Sequence, residues 1–239
     1  MELKVGVIYP ELLNMFGDIG NIKAIEKRLL WRDIDVNITD IYIDDEIDFS
    51  IFDIVYIGGG GDREILTAKD KLYPMKDKLK EYVESDGVLL AVCSGFELIS
   101  KEFHIKGEKQ EGLGVLQVKS LWDEKRFVSN VVINTPFGIV TGFENHNGRM
   151  DIGNLNPLGE VVFGNGNNGQ DKKEGVIYKN TFASFLDGPL LPKNPKLCDE
   201  IIKRALIKKY NEDIVLKELD DKEERNASNY IVSKYTSQI

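Results

Sequence analysis

Residues 88–100, VLLAVCSGFELIS, carry the strongest chemical signal in the chain. Five apolar residues run directly into Cys93, followed by Ser94, Gly95 and a segment able to start a helix. A buried strand that turns into a helix through small residues lifts the turn side chain clear of the sheet. It also aims that side chain at free N–H groups and at the positive end of a helix dipole. A cysteine held there is expected to have a lowered pKa and to act as a nucleophile. The competing reading is a structural cysteine, because free cysteine is among the commonest core residues. Local pattern alone leaves the two readings level.

A second candidate is the run of four glycines at 58–61, followed by Asp62, Arg63 and Glu64. With no side chains in the way, its backbone N–H groups can approach a ligand closely. The spacing lacks the third glycine of a dinucleotide fingerprint, and no GK[ST] follows to make a P-loop. A tight turn after a buried strand explains the glycines equally well. Acyl transfer at Cys93 would need two converging N–H donors. Ser94 can supply one, and Gly59 or Gly60 the other.

The elements that position these residues follow from the hydrophobic pattern. Residues 4–9 (KVGVIY) read as a first strand and 10–22 as a loop, with Asn21 capping a helix to about residue 30. Apolar alternation over 35–43 predicts a second strand, and residues 54–57 a third. Residues 70–84 predict one amphipathic helix, closed by Asp86 and Gly87 before the strand at 88–92. Strands alternating with helices predict a parallel α/β sheet, with sites at the carboxyl ends of the strands. Both the glycine run and Cys93 fall at such ends. Beyond residue 100, short apolar runs at 115–118, 128–133, 138–141, 160–163, 176–178 and 181–184 predict antiparallel strands that extend or cover the sheet. Residues 195–210 predict a long helix, and the charged segment 211–239 one more short helix with loose ends. The expected division is therefore a domain over 1–210 and a C-terminal extension over 211–239.

Composition narrows the function. A net charge of −9 argues against nucleic acid or an anionic membrane surface as the main partner. No apolar stretch approaches the length of a membrane span, and residues 1–4 enter the first strand without a signal pattern. Cys93 and Cys198 lie far apart, so a disulfide framework is not expected and a reducing cytoplasm fits. Two cysteines and two histidines without close spacing predict no metal site, and nothing calls for a cofactor. Arg126 and Arg149 can each bind a carboxylate, or make a surface ion pair.

Taken together, several segments resemble class I (triad) glutamine amidotransferases of the cobyric-acid-synthase-like branch. They are YPELLNMFGDIGNI after the first strand, GGGGDRE at the glycine run, AVCSGFELI at the turn, KRFVSNVV from Lys125, GFENHNGR from Gly142 and DGPLLPKNP from Asp187. The resemblance spans about residues 4–210. It implies a flavodoxin-like three-layer α/β fold with additional antiparallel strands. It also implies that Cys93 attacks the side-chain amide of glutamine, forms a glutamyl thioester and releases ammonia, with Arg126 binding substrate. Within the branch the match is to separate glutaminase subunits that act on a cell-wall precursor. That implies a Mur-ligase-like, ATP-dependent (MurT-like) subunit as heterodimer partner, which uses the ammonia to amidate the D-glutamate of lipid II.

The chain departs from the family pattern around this pocket. Asp187 stands where the family has its catalytic histidine, Glu97 stands for a glutamine four residues past the nucleophile, and Gly61 stands for a glutamine after the glycines. A carboxylate beside a thiol raises its pKa, and an ordinary carboxylate is too acidic to shuttle protons near neutrality. Of the two histidines, His146 lies in a polar segment and is the alternative base, against the commoner reading of a structural histidine. His104 reads as structural. Two functions therefore stand: a glutaminase subunit with an altered base, or an amidotransferase-like binding or regulatory subunit that has lost efficient hydrolysis.

Overall fold

The computed structural model describes residues 1–236. The first half alternates strands and helices: β1 (Glu2–Ile8), α1 (Ile19–Leu30), β2 (Asp35–Ile41), β3 (Ile54–Ile57), α2 (Asp62–Leu72), α3 (Lys76–Glu84), β4 (Val88–Val92) and the short α4 (Ser94–Leu98). Strands then dominate: β5 (Glu102–Ile105), β6 (Glu108–Glu111), β7 (Lys119–Thr135), β8 (Gly138–Asp151), β9 (Gly159–Phe163), β10 (Lys173–Glu174), β11 (Val176–Tyr178) and β12 (Thr181–Ser184). Two helices follow, α5 (Pro195–Tyr210) and α6 (Lys222–Thr236).

The first sheet runs β11-β12-β4-β3-β1-β2, parallel throughout except for β11. Its central strands are apolar at every position because both faces are covered. On β4, Val88, Leu90 and Val92 pack with Ile22 and Ile25 of α1 and Ile201 and Ile202 of α5. Leu89 and Ala91 point the other way, to Ile65 of α2, Leu79 of α3 and Phe96 of α4. The period of two along each strand thus builds three layers, the flavodoxin-like arrangement.

The expected antiparallel strands are present, chiefly as a second sheet, β10-β9-β7-β5-β6, with β8 paired to β7. Its spine is the long β7–β8 hairpin, whose register breaks between Trp122 and Phe127. Such a break re-aims side chains, and here it carries Arg126.

Several element boundaries differ from the sequence pattern. The helix expected over 70–84 is two helices, parted by a 3-10 turn at Tyr73–Met75. Pro74 has no N–H to give and its ring clashes with the preceding turn. Asn21 is not a cap. It is buried inside α1, where its Nδ2 donates to Tyr56 Oη (3.1 Å) and its Oδ1 accepts from Leu191 N (2.8 Å). Asn14 Oδ1 instead accepts from Ile19 N at 2.9 Å. Residues 115–118 form no strand, whereas β5 and β6 lie in a stretch without an apolar run.

Residues 211–221 are fastened to α1: Asp221 meets Arg28 (2.7 Å), and Arg32 donates to Lys217 O (2.7 Å). On α6, Tyr235 accepts from Asn130 (2.9 Å) and packs on Phe163. Positions 237–239 of the expected extension lie outside the described residues.

Candidate active site

Cys93 ends β4 with φ 54° and ψ −129°, backbone that only glycine adopts freely. Holding a side chain there costs about 1–3 kcal/mol. β12 fixes it from behind, since Cys93 N donates to Ser184 O at 2.8 Å. Gly95 lets α4 press onto the end of β3: a Cβ there would stand 2.6 Å from Gly58 O and 2.7 Å from Ile57 O. The result is the sharp turn read from the sequence. It sets the thiol in the wall of a cleft of about 580 Å³ that is also lined by Met15, Gly60, Glu97, Arg126 and His146.

The electrostatics reverse one expectation. Burial first, then the charges of Asp187 and Asp18, push the Cys93 thiol well above its ordinary pKa, and the Ser94 N–H opposes them only in part. The expected lowering fails because α4 has five residues and little dipole, while three acids crowd the sulfur. Asp187 is 1% exposed and lies against the thiol, which steadies its ionised form. Its N–H donates to Phe143 O at 2.9 Å, tying it to β8. Burial raises its carboxyl to about 6, against the thiol, Lys193 and Arg126, which lower it. Asp187 Oδ2 meets no hydrogen-bond donor among the described residues. Glu97 is raised to about 7 by burial, while its Oε1 accepts from Ser120 Oγ at 2.6 Å. Gly148 makes room for it, because a Cβ there would fall 2.3 Å from Glu97 Oε1.

Of the expected oxyanion donors, neither glycine N–H is free in this structure. Gly59 N donates to Asp18 Oδ2 (2.8 Å). Gly60 N donates to Ser94 Oγ (2.8 Å), which in turn donates to Gly60 O (2.8 Å). The glycines serve close approach: a Cβ on Gly59 would lie 2.9 Å from Cys93 Sγ and 3.2 Å from Asp18 Oδ2. Gly61 lines the cleft beside Glu64.

Arg126 projects from the β7 irregularity at the cleft mouth. Its Nε donates to Asn145 Oδ1 (2.5 Å), Nη1 to Asn147 Oδ1 (3.0 Å) and Nη2 to Asn145 O (3.0 Å). All three guanidinium nitrogens are thereby anchored at the rim of a cleft that Glu97 and Cys93 also line. Arg149 faces elsewhere, stacked on Phe127 at 3.4 Å.

His146 lines the same cleft but is not placed as a base to Cys93. Its Nδ1 bonds Gly148 O at 2.8 Å, and its ring stacks on Phe185 at 3.9 Å. The buried Nε2 points toward Glu144, 3.9 Å from Oε2, and has no hydrogen-bond partner among the described residues, Cys93 included. His104 bonds Ser120 O (2.8 Å), and Cys198 is fully buried on α5.

Asp18 is the functional candidate that sequence reasoning missed. It reads as turn composition between Gly17 and Gly20, yet it is 0% exposed. Burial raises its carboxyl to about 7, the Gly59 N–H opposes, and the Asp187 charge adds. Only its place within the YPELLNMFGDIGNI segment distinguished it in the sequence. No group of three or more His, Cys, Asp or Glu side chains is arranged to hold a metal ion among the described residues.

Comparison with known proteins bears on what this pocket does. The profile of the CobB/CobQ-like glutamine amidotransferase domain matches residues 4–195. The lipid II isoglutaminyl synthase (glutamine-hydrolyzing) subunit GatD of Staphylococcus aureus N315 is 37% identical, covering 99% of this chain and 98% of that one. The subunit of the same name from Streptococcus pneumoniae R6 is 36% identical, covering 92% and 86%. A crystal structure of a glutamine amidotransferase superimposes with a TM-score of 0.59 at 18% identity, over 84% of this chain and 98% of the other, a likeness of fold.

Proposed function

The chain belongs to the CobB/CobQ-like glutamine amidotransferase family, and on that premise we propose that it is the glutamine-hydrolysing subunit of a lipid II isoglutaminyl synthase. Its ammonia goes to a Mur-ligase-like, ATP-dependent partner in the cytoplasm, which amidates the D-glutamate of the precursor. The observation that carries this reading is the strained Cys93 at the cleft wall with the buried Asp187 against its thiol.

Arg126, at the mouth, pairs with the α-carboxylate of glutamine, and Glu97 faces the α-ammonium. The Cys93 sulfur attacks the side-chain amide carbon while its proton passes to Asp187. The C–N bond then breaks as Asp187 returns that proton to the departing nitrogen, giving ammonia and a γ-glutamyl thioester. Asp187 next takes a proton from water, whose oxygen attacks the thioester and yields glutamate and the free thiol. The balance is glutamine plus water to glutamate plus ammonia. An ordinary carboxyl is too acidic for this exchange, but one raised to about 6 is as good a match to neutral pH as an imidazole.

A second reading keeps the scaffold as a binding or regulatory subunit and takes nitrogen from free ammonia. It is favoured by the two glycine N–H groups already being bonded. Glutamate release from glutamine, with and without the partner, separates the two. The glutaminase reading expects turnover by the unmodified chain and none by Cys93→Ala; equal, background-level release by both favours the binding subunit.

A further inference from the structure

Acyl transfer at Cys93 needs the oxygen of the tetrahedral adduct to find two N–H donors, yet the Gly59 donor beside the sulfur is already engaged. Asp18 Oδ2 accepts from Gly59 N at 2.8 Å. The same carboxylate oxygen and Cys93 Sγ flank one point on the Gly59 backbone, at 3.2 and 2.9 Å from where a Cβ would stand. Asp18 is fully buried, and its Oδ1 has no hydrogen-bond partner among the described residues. Its backbone is pinned on both sides: Tyr56 Oη donates to Asp18 O (2.9 Å), and Asp18 N donates to Met15 O (3.3 Å). Met15 N in turn donates to Gly59 O at 2.9 Å, so the loop carrying Asp18 grips both ends of the Gly59 residue.

A half-satisfied buried carboxylate costs stability, so its place beside the reacting sulfur calls for a role outside the fold. Here it opposes the reaction at the neighbouring sulfur twice, by occupying a donor and by placing negative charge beside a thiol that must become anionic. We propose that Asp18 is a latch on the oxyanion site: it holds the Gly59 N–H away from the adduct oxygen, and turnover begins when that bond is released. The proposal rests on the glutaminase reading and adds a restraint to it. It also gives the second reading's one supporting observation a different meaning, a site held closed rather than a site lost.

The test compares two reagents on the full-length chain and on Asp18→Ala and Asp18→Asn. Iodoacetamide alkylates a thiolate without forming an oxyanion, so it reports the charge effect alone. A glutamine-like chloroketone adds through a tetrahedral alkoxide and therefore also reports the freed N–H. Labelling of Cys93 is followed by intact mass, with Cys93→Ala as the blank. The latch predicts that Asp18→Ala speeds chloroketone labelling at least about 10-fold more than iodoacetamide labelling, the worth of one hydrogen bond to a charged group. Asp18→Asn, which keeps the shape and an acceptor oxygen, moves the same way by less and carries the test should the alanine variant fail to fold. A ratio that stays at the wild-type value or falls in a folded variant overturns the latch, even where glutamine is still hydrolysed. Failure of the glutaminase reading looks different: iodoacetamide labels Cys93, the chloroketone labels no variant, and no glutamate is released, which sinks both.

Discussion

Two clusters of charge, one between α1 and α5 and one around Cys93, are built on opposite terms. In the first, Arg28 donates Nε and Nη2 to the two oxygens of Asp199 (2.6 and 2.7 Å) and Nη1 to Asp221 (2.7 Å). Arg32 adds a bond to Asp199 (2.7 Å) and one to Arg28 O (3.1 Å). Cations and carboxylates balance, every guanidinium edge is used, and α1, α5 and the approach to α6 are joined. In the second, Asp18, Asp187 and Glu97 surround Cys93 with two carboxylate oxygens unpartnered among the described residues and Arg126 only at the rim. The first cluster is closed and serves the fold. The second is left unbalanced, and its raised carboxyl pKa values follow from burial without a cation packed against them.

Substitutions in either cluster put this difference to the test. Arg28→Ala strands two carboxylates in a closed network, and chemical denaturation is expected to show a loss of roughly 3–5 kcal/mol. Cys93 alkylation under native conditions should not change. At the second cluster, Arg126→Ala removes the cation at the mouth. Steady-state kinetics should show kcat/KM for glutamine down by about 10–100-fold, mostly in KM. Asp18→Asn has the reverse sign to Arg28→Ala. The Asp18 carboxyl is raised from 3.8 to about 7, so the folded state binds its proton more tightly than the unfolded state does. Its favourable share is full below about pH 4 and is lost as pH rises to 7. Melting curves should therefore show Asp18→Asn stabilising by about 1 kcal/mol at pH 8 and by less at pH 5. Glu174→Gln probes the same sign farther from the sulfur. Burial raises Glu174 from 4.5 to about 7 although Ser184 Oγ (2.8 Å) and Phe185 N (2.9 Å) donate to it. A gain of a few degrees in Tm at pH 8 that shrinks at pH 5 is expected, with glutamine turnover unaltered.

The first sheet was legible because β3 and β4 are short apolar runs between turn residues and β2 alternates, and the Cys93 turn follows from residue sizes alone. β5 and β6 escaped because EFHI and EKQE carry no period that betrays a strand. Residues 115–118 misled because an apolar run can be a buried loop: Val115, Leu116 and Val118 pack into the core without pairing. At the site, Cys93, Glu97, Arg126 and Asp187 were visible as residue types at motif positions. Their charge states were not, since burial rather than sequence spacing raises the carboxyls and the thiol. The Asp18–Gly59 bond joins residues 41 apart through two loops, a pairing no local pattern encodes. An exposed carboxylate at 187 would be too acidic for proton exchange near neutrality, and burial in the fold is what raises it to about 6.

Whether the buried Asp187 does the proton work for Cys93 can be measured directly. Glutamate release should be measured from pH 5 to 8.5 for the unmodified chain and Asp187→Asn, with the partner subunit present if it is needed for turnover. The account predicts a rate that rises through about pH 6, where Asp187 ionises, and a fall of about 100-fold or more in Asp187→Asn at every pH above it. Equal rates for the two proteins, or a rate indifferent to pH near 6, would contradict it.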